Sequence, residues 1–223
     1  EAERRLIENE ATKGYLSIDG LPDYREQVRS LVFGDSLDAA RVAILQTPGG
    51  TGALRVAADF IVAQLSPARI WMPSPTWANH PAIFAAAGLA SETYRYLGSD
   101  RTSFDLGGML EDLSEKTKPG DAVLLHACCH NPTGVDPTPE DWKAIAQTVA
   151  ERQLIPLVDF AYQGFGDGID EDKIGLQTVL EAVDEVIVCN SFSKNFGLYS
   201  ERVGSVCLIA ADAETTKAAH SQL

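Results

Sequence analysis

The sequence predicts an α/β fold, a mostly parallel sheet with helices on both faces. Short apolar runs of strand length recur along its 223 residues, separated by stretches with helical apolar spacing. Parallel strands buried on both faces read as such runs, and their alternation with helices implies right-handed crossovers. The length suffices for the core of one large domain, and 45% hydrophobic residues with no bilayer-length apolar run fits a globular chain.

The net charge of -14 argues against a nucleic-acid partner, and nothing suggests a membrane one. Cys128, Cys129, Cys189 and Cys207 lie in or beside apolar runs, without the spacing of a disulfide framework, so a reduced, cytoplasmic setting is expected. There is no signal or transit segment at Glu1, and no methionine, which predicts a fragment of a longer protein.

Residues 1 to 11 are charged with sparse apolar positions and read as an exposed helix. A glycine-punctuated loop over 12 to 20 follows. Residues 22 to 33 form an amphipathic helix, with Pro22 at its first position, Tyr24, Val28, Leu31 and Val32 apolar, and Gly34 as its stop. Residues 42 to 46 are a strand. Thr47-Pro48-Gly49-Gly50-Thr51-Gly52 turns it into a helix with Leu54, Ala57, Ala58, Ile61 and Leu65 on one face. Strands follow at 70 to 72, 93 to 96, 122 to 127, 155 to 159, 185 to 189 and 204 to 209, with helices near 79 to 87 and 105 to 114. A further helix starts with Thr138 as cap, Pro139 at the first position and Asp141 completing a capping box.

Candidate polar groups follow these strands. Gly50 and Thr51 come after the first, Trp77 after the second, Asn131 after the fourth, Asp159 at the end of the fifth and Lys194 after the sixth. Ligands of open α/β sheets bind beyond the carboxyl ends of the strands, so one pocket can collect them all. The glycine turn offers unpaired N–H groups at a helix start to an anion, without the lysine of a Walker loop or the spacing of a dinucleotide fingerprint. Lys194 between Ser191, Ser193 and Arg202 suits a carbonyl compound bearing a phosphate. A lysine near serines also reads as a plain solvated charge, and Asn131-Pro132 as a plain turn. A buried Asp159 needs a partner, such as a protonated ring nitrogen. His126-Ala127-Cys128-Cys129-His130 invites a zinc reading, but strand alternation would point these side chains to opposite faces, so no metal site is expected.

Gly49-Gly50-Thr51-Gly52, Trp77, Asn131-Pro132-Thr133-Gly134, Asp159-Phe160-Ala161-Tyr162 and residues 189 to 204 together resemble the aspartate and aromatic amino acid aminotransferases, pyridoxal-phosphate enzymes of fold type I. The resemblance covers nearly the whole chain from about Thr12. It implies that residues 1–223 are the large cofactor-binding domain, an α/β/α sandwich, with an amino-terminal arm and a carboxyl-terminal small domain outside it. The implied cofactor is pyridoxal 5'-phosphate, with Lys194 forming an imine to it and moving the proton from the substrate's α-carbon. Asp159 would hold the ring nitrogen, Tyr162 and Asn131 the phenolic oxygen, and Trp77 would stack on the ring. Gly50, Thr51, Ser191, Ser193 and Arg202 would hold the phosphate, with Tyr15 reaching it from the other subunit of a homodimer. His80 and His126 would support Asp159. The implied reaction exchanges an amino group between aspartate or an aromatic amino acid and a 2-oxo acid such as 2-oxoglutarate. A non-catalytic cofactor-binding or dimerisation module, and a carbon–sulfur lyase on the same scaffold, are the alternatives.

Overall fold

The computed structural model describes residues 1–12, 14–34, 37–65 and 69–223. Lys13, in the loop expected over 12 to 20, lies outside the described residues. The chain runs α1 (Ala2–Asn9), α2 (Pro22–Phe33), β1 (Val42–Pro48), α3 (Gly49–Gln64), β2 (Arg69–Ser74), α4 (His80–Ala86), β3 (Ala90–Arg95), α5 (Leu106–Lys116) and β4 (Ala122–His126). It continues with α6 (Pro139–Glu151), β5 (Ile155–Phe160), α7 (Ile174–Ala182), β6 (Val186–Ser191), β7 (Val203–Ile209) and α8 (Ala213–His220). Two of these helices, α7 and α8, carry no cap-and-period signature that the sequence reading used. Among the described residues no helix is long and apolar enough to cross a membrane.

Seven strands form one sheet in the order β1-β7-β6-β5-β4-β2-β3. Pairing is parallel except around β7, which runs antiparallel to both neighbours, β1 and β6. The mostly parallel sheet is therefore as expected, but the last connection is not a helical crossover. Residues 192 to 202 instead turn the chain directly from β6 into β7. An antiparallel neighbour needs no crossover, so this loop is left free to carry Lys194.

Alternation along the strands divides the core between the two faces. Val123 and Leu125 of β4 join Val28 of α2, Leu113 of α5, Ile145 of α6 and Val179 of α7 on one side. Ala122 and Leu124 join Leu54 and Ile61 of α3 and Phe84 of α4 on the other. The cap of α6 is as read, with Thr138 and Asp141 each accepting the other's backbone N–H. By contrast α1 buries no residue at all, leaving Leu6 and Ile7 exposed.

Candidate active site

The parallel strands deliver their carboxyl ends to one edge of the sheet, and a single cavity opens there. Gly50, Thr51, Trp77, Asn131, Asp159, Tyr162, Ser191, Ser193, Lys194 and Arg202 all line it. Tyr15 does not. It stands fully exposed at 108% of its reference area, in the loop before α2.

One wall is a set of anion donors. The glycine segment is the first turn of α3, with no side chain capping it, so its leading N–H groups are open. Arg202, two residues before Gly204 on β7, lies against this turn: a Cβ added at Gly49 would sit 2.7 Å from its Nη2 atom. Ser191 is nearby too, 3.0 Å from a Cβ placed on Gly50. Glycine at Gly49 is required by its φ of 72°, and both glycines let Arg202 and Ser191 approach the turn closely. Arg202 itself has a φ of 53°, uncommon for a residue with a side chain, and its Nη1 donates to the Tyr199 carbonyl at 3.2 Å. An open helix start, an arginine fork and two serine hydroxyls fit a phosphate dianion.

The opposite wall carries a largely buried carboxylate. Asp159 is on β5 and its Oδ2 lies 3.0 Å from Nε2 of His80, which is wholly buried at the start of α4. His80 Nδ1 in turn pairs with the Thr76 hydroxyl at 2.8 Å. Burial pushes the Asp159 carboxyl up, but the hydrogen bond from His80, with the charge of Lys194 behind it, outweighs burial and holds it below the usual carboxylate range. Burial drives His126 down to about 4 and His130 down to about 3, so both are neutral near pH 7. An ionised carboxylate facing into the cavity suits a protonated heterocyclic nitrogen.

Between these walls stand the lysine and the phenol. Lys194 Nζ lies 5.0 Å from the centre of the Tyr162 ring. Tyr162 receives a long hydrogen bond, 3.4 Å, from Asn131 Nδ2. Burial, followed by the charge of Asp159, raises the Tyr162 hydroxyl, which stays protonated as a donor. Trp77 is in the wall above His80, edge to face at 5.2 Å between ring centres.

The alternation argument against zinc does not describe this part of the chain. β4 ends at His126, and the turn through Cys129, with its φ of 50°, folds His130 back so that its ring stacks on His126 at 4.3 Å. The two histidines share a side, as strand alternation would also have placed residues four apart, so that argument separated only Cys129 from His126, Cys128 and His130. Among the described residues the potential ligands that converge, with atoms within 4.8 Å, are His80, His126 and Asp159, and their shortest contact is the hydrogen bond already described. Leu54, Cys128, Ala161 and Tyr199 also line the cavity and were not singled out from the sequence. Cys128 and Ala161 lie two and one positions from residues that were, so proximity along the chain was their available signal.

The sequence matches the family Aminotransferase class I and II over residues 1–222. The chain belongs to this family. It is 49% identical to an aspartate aminotransferase of Haemophilus influenzae over all of its length and 57% of the relative's. It is 46% identical to an aromatic-amino-acid aminotransferase of Pseudomonas aeruginosa, again over its whole length and 56% of the relative's. The fold agrees: an aromatic-amino-acid aminotransferase of Burkholderia pseudomallei, covalently bound to pyridoxal phosphate, superposes with a TM-score of 0.95 at 40% identity, covering 99% of this chain and 56% of that one. The chain thus spans a little over half the length of the family members it matches.

Proposed function

We propose that this chain is the large cofactor-binding domain of a pyridoxal 5'-phosphate-dependent aminotransferase acting on aspartate or an aromatic amino acid, with a 2-oxo acid as the second substrate. The observation that carries the reading is the placement of one lysine, Lys194, in a cavity with an anion cradle on one wall and an ionised, histidine-anchored carboxylate on the other. Relatives named for aspartate and for aromatic substrates are similar to nearly the same degree, so both classes stand.

When bound, pyridoxal phosphate supplies a ring that accepts the electron pair left on a substrate's α-carbon. Asp159 keeps the proton on the ring nitrogen, which is the charge that makes the ring a good acceptor. Arg202, Ser191, Ser193 and the N–H groups at Gly50 and Thr51 orient the ring through its phosphate. Trp77 would cover a ring face and exclude water, while Tyr162 and Asn131 would donate to the phenolic oxygen. Lys194 is the residue that would hold the cofactor through its aldehyde carbon, and its amine, when free, would carry the proton from the substrate's α-carbon.

The active unit in this reading is a cytoplasmic homodimer with shared sites. Tyr15, exposed with Leu16 and Ile18 in one loop, would be the residue that reaches the neighbouring subunit's phosphate. Borohydride reduction of cofactor-loaded protein, followed by peptide mapping, tests the central assignment. Label on the Lys194 peptide is the expected result, and label on any other lysine sinks it.

A further inference from the structure

Tyr24 lies in α2, outside the cavity, and its hydroxyl donates a 2.8 Å hydrogen bond to the carbonyl of Gly204, 180 residues later. Gly204 is where the pieces of the anion cradle meet. It pairs with Thr47 of β1 and with Ser191 of β6. It is also pressed against the start of α3, so that a Cβ there would lie 2.5 Å from the Gly49 carbonyl carbon and 2.6 Å from the Asn190 oxygen. Arg202 precedes it by two residues. The Tyr24 ring packs edge-on against Phe192, which separates Ser191 from Ser193, at 6.1 Å between ring centres. Burial raises the Tyr24 phenol well above its usual range, so the hydroxyl remains a donor at any working pH.

We infer that Tyr24 is a positioning residue for the anion cradle, tying α2 to the Gly204 carbonyl and so holding Arg202, Ser191 and Ser193 in register with the first turn of α3. The inference rests on the phosphate-binding reading of that wall. The Tyr24 hydrogen bond goes to β7 and its ring contact to Phe192, both on the phosphate wall, so its loss should be felt at the phosphate and not at the ring. Removing the hydroxyl leaves a buried carbonyl without this donor, and the start of β7 shifts to find another.

The test compares Tyr24→Phe with the parent protein for affinity toward two probes, pyridoxal 5'-phosphate and pyridoxal, which lacks the phosphate. Binding is followed by absorbance. The expected result is about a fivefold weakening for the phosphate ester, the loss of one hydrogen bond's worth of positioning, with pyridoxal affinity unchanged. Equal weakening for both probes, or for neither, overturns the inference. Should Tyr24→Phe fail to fold, Tyr24→His is measured in the same way. Its shorter ring does not reach the Gly204 carbonyl, so weakening for the phosphate ester alone supports the tie, whereas equal weakening for both probes, or for neither, overturns it. A parent protein that binds neither probe refutes the proposed function itself, an outcome separate from any effect of the variant.

Discussion

His80 Nε2 and Asp159 Oδ2 are 3.0 Å apart, joining α4 to the end of β5 across a site where the histidine has no solvent exposure at all. A buried carboxylate held by a directed hydrogen bond keeps both its charge and its aim. Asp159→Asn preserves size and some hydrogen bonding but removes the charge that retains the ring proton. Cofactor affinity should fall modestly, while the proton-abstraction step slows by about 10²–10³-fold, the range seen when a group aimed at developing charge is removed. Single-turnover absorbance with aspartate, and separately with phenylalanine, measures it and compares the substrates. A variant as fast as the parent would make Asp159 a structural group only.

His126 and His130 predict how the fold responds to acid. Their folded values, about 4 and about 3, lie below the 6.5 of an exposed histidine because burial disfavours the charged form. The unfolded chain therefore binds protons first as the pH falls. Stability is full above pH 6.5 and is lost as pH drops from there toward 4, with His126 contributing about 3 kcal/mol across that window. Urea midpoints between pH 7 and pH 4.5 should fall steadily, and His126→Asn should flatten the slope. A parent with pH-independent midpoints contradicts the assignment.

Gly204→Ala tests the crowding beneath the cradle. The added methyl would meet backbone atoms of Gly49 and Asn190, which have no rotamer to yield. The expected destabilisation is about 1–3 kcal/mol, as for overpacking elsewhere, with weaker cofactor binding alongside. Denaturant melts check it, and an unchanged midpoint would mean that the β1–β7–β6 edge is looser than described.

Sharing of the site between subunits can be tested by mixing. A Tyr15→Phe subunit combined with a Lys194→Ala subunit yields hybrids with one site carrying both lesions and one carrying neither. Activity should reappear under exchange conditions. Mixtures that stay as inactive as the Lys194→Ala parent speak against Tyr15 acting across an interface.

The sequence by itself determined the fold class and the wall-lining groups. Apolar runs of strand length imposed a parallel sheet, and such a sheet brings the segments after its strands to one edge, so Asn131, Asp159 and Lys194 had to converge there. The capping box at Thr138 and the glycines at the start of α3 are local signals, complete within four residues. Tertiary structure alone decided what depends on partners far apart in the chain. The insertion of β7 antiparallel between β1 and β6, the presence of Tyr199 in the cavity and the tie from Tyr24 to Gly204 have no local pattern, because strand order and long-range contacts follow from how the two core faces pack. Gly204 shows the difference: its place in a strand could be read from the sequence, but only the close approach of three segments explains why no side chain fits there.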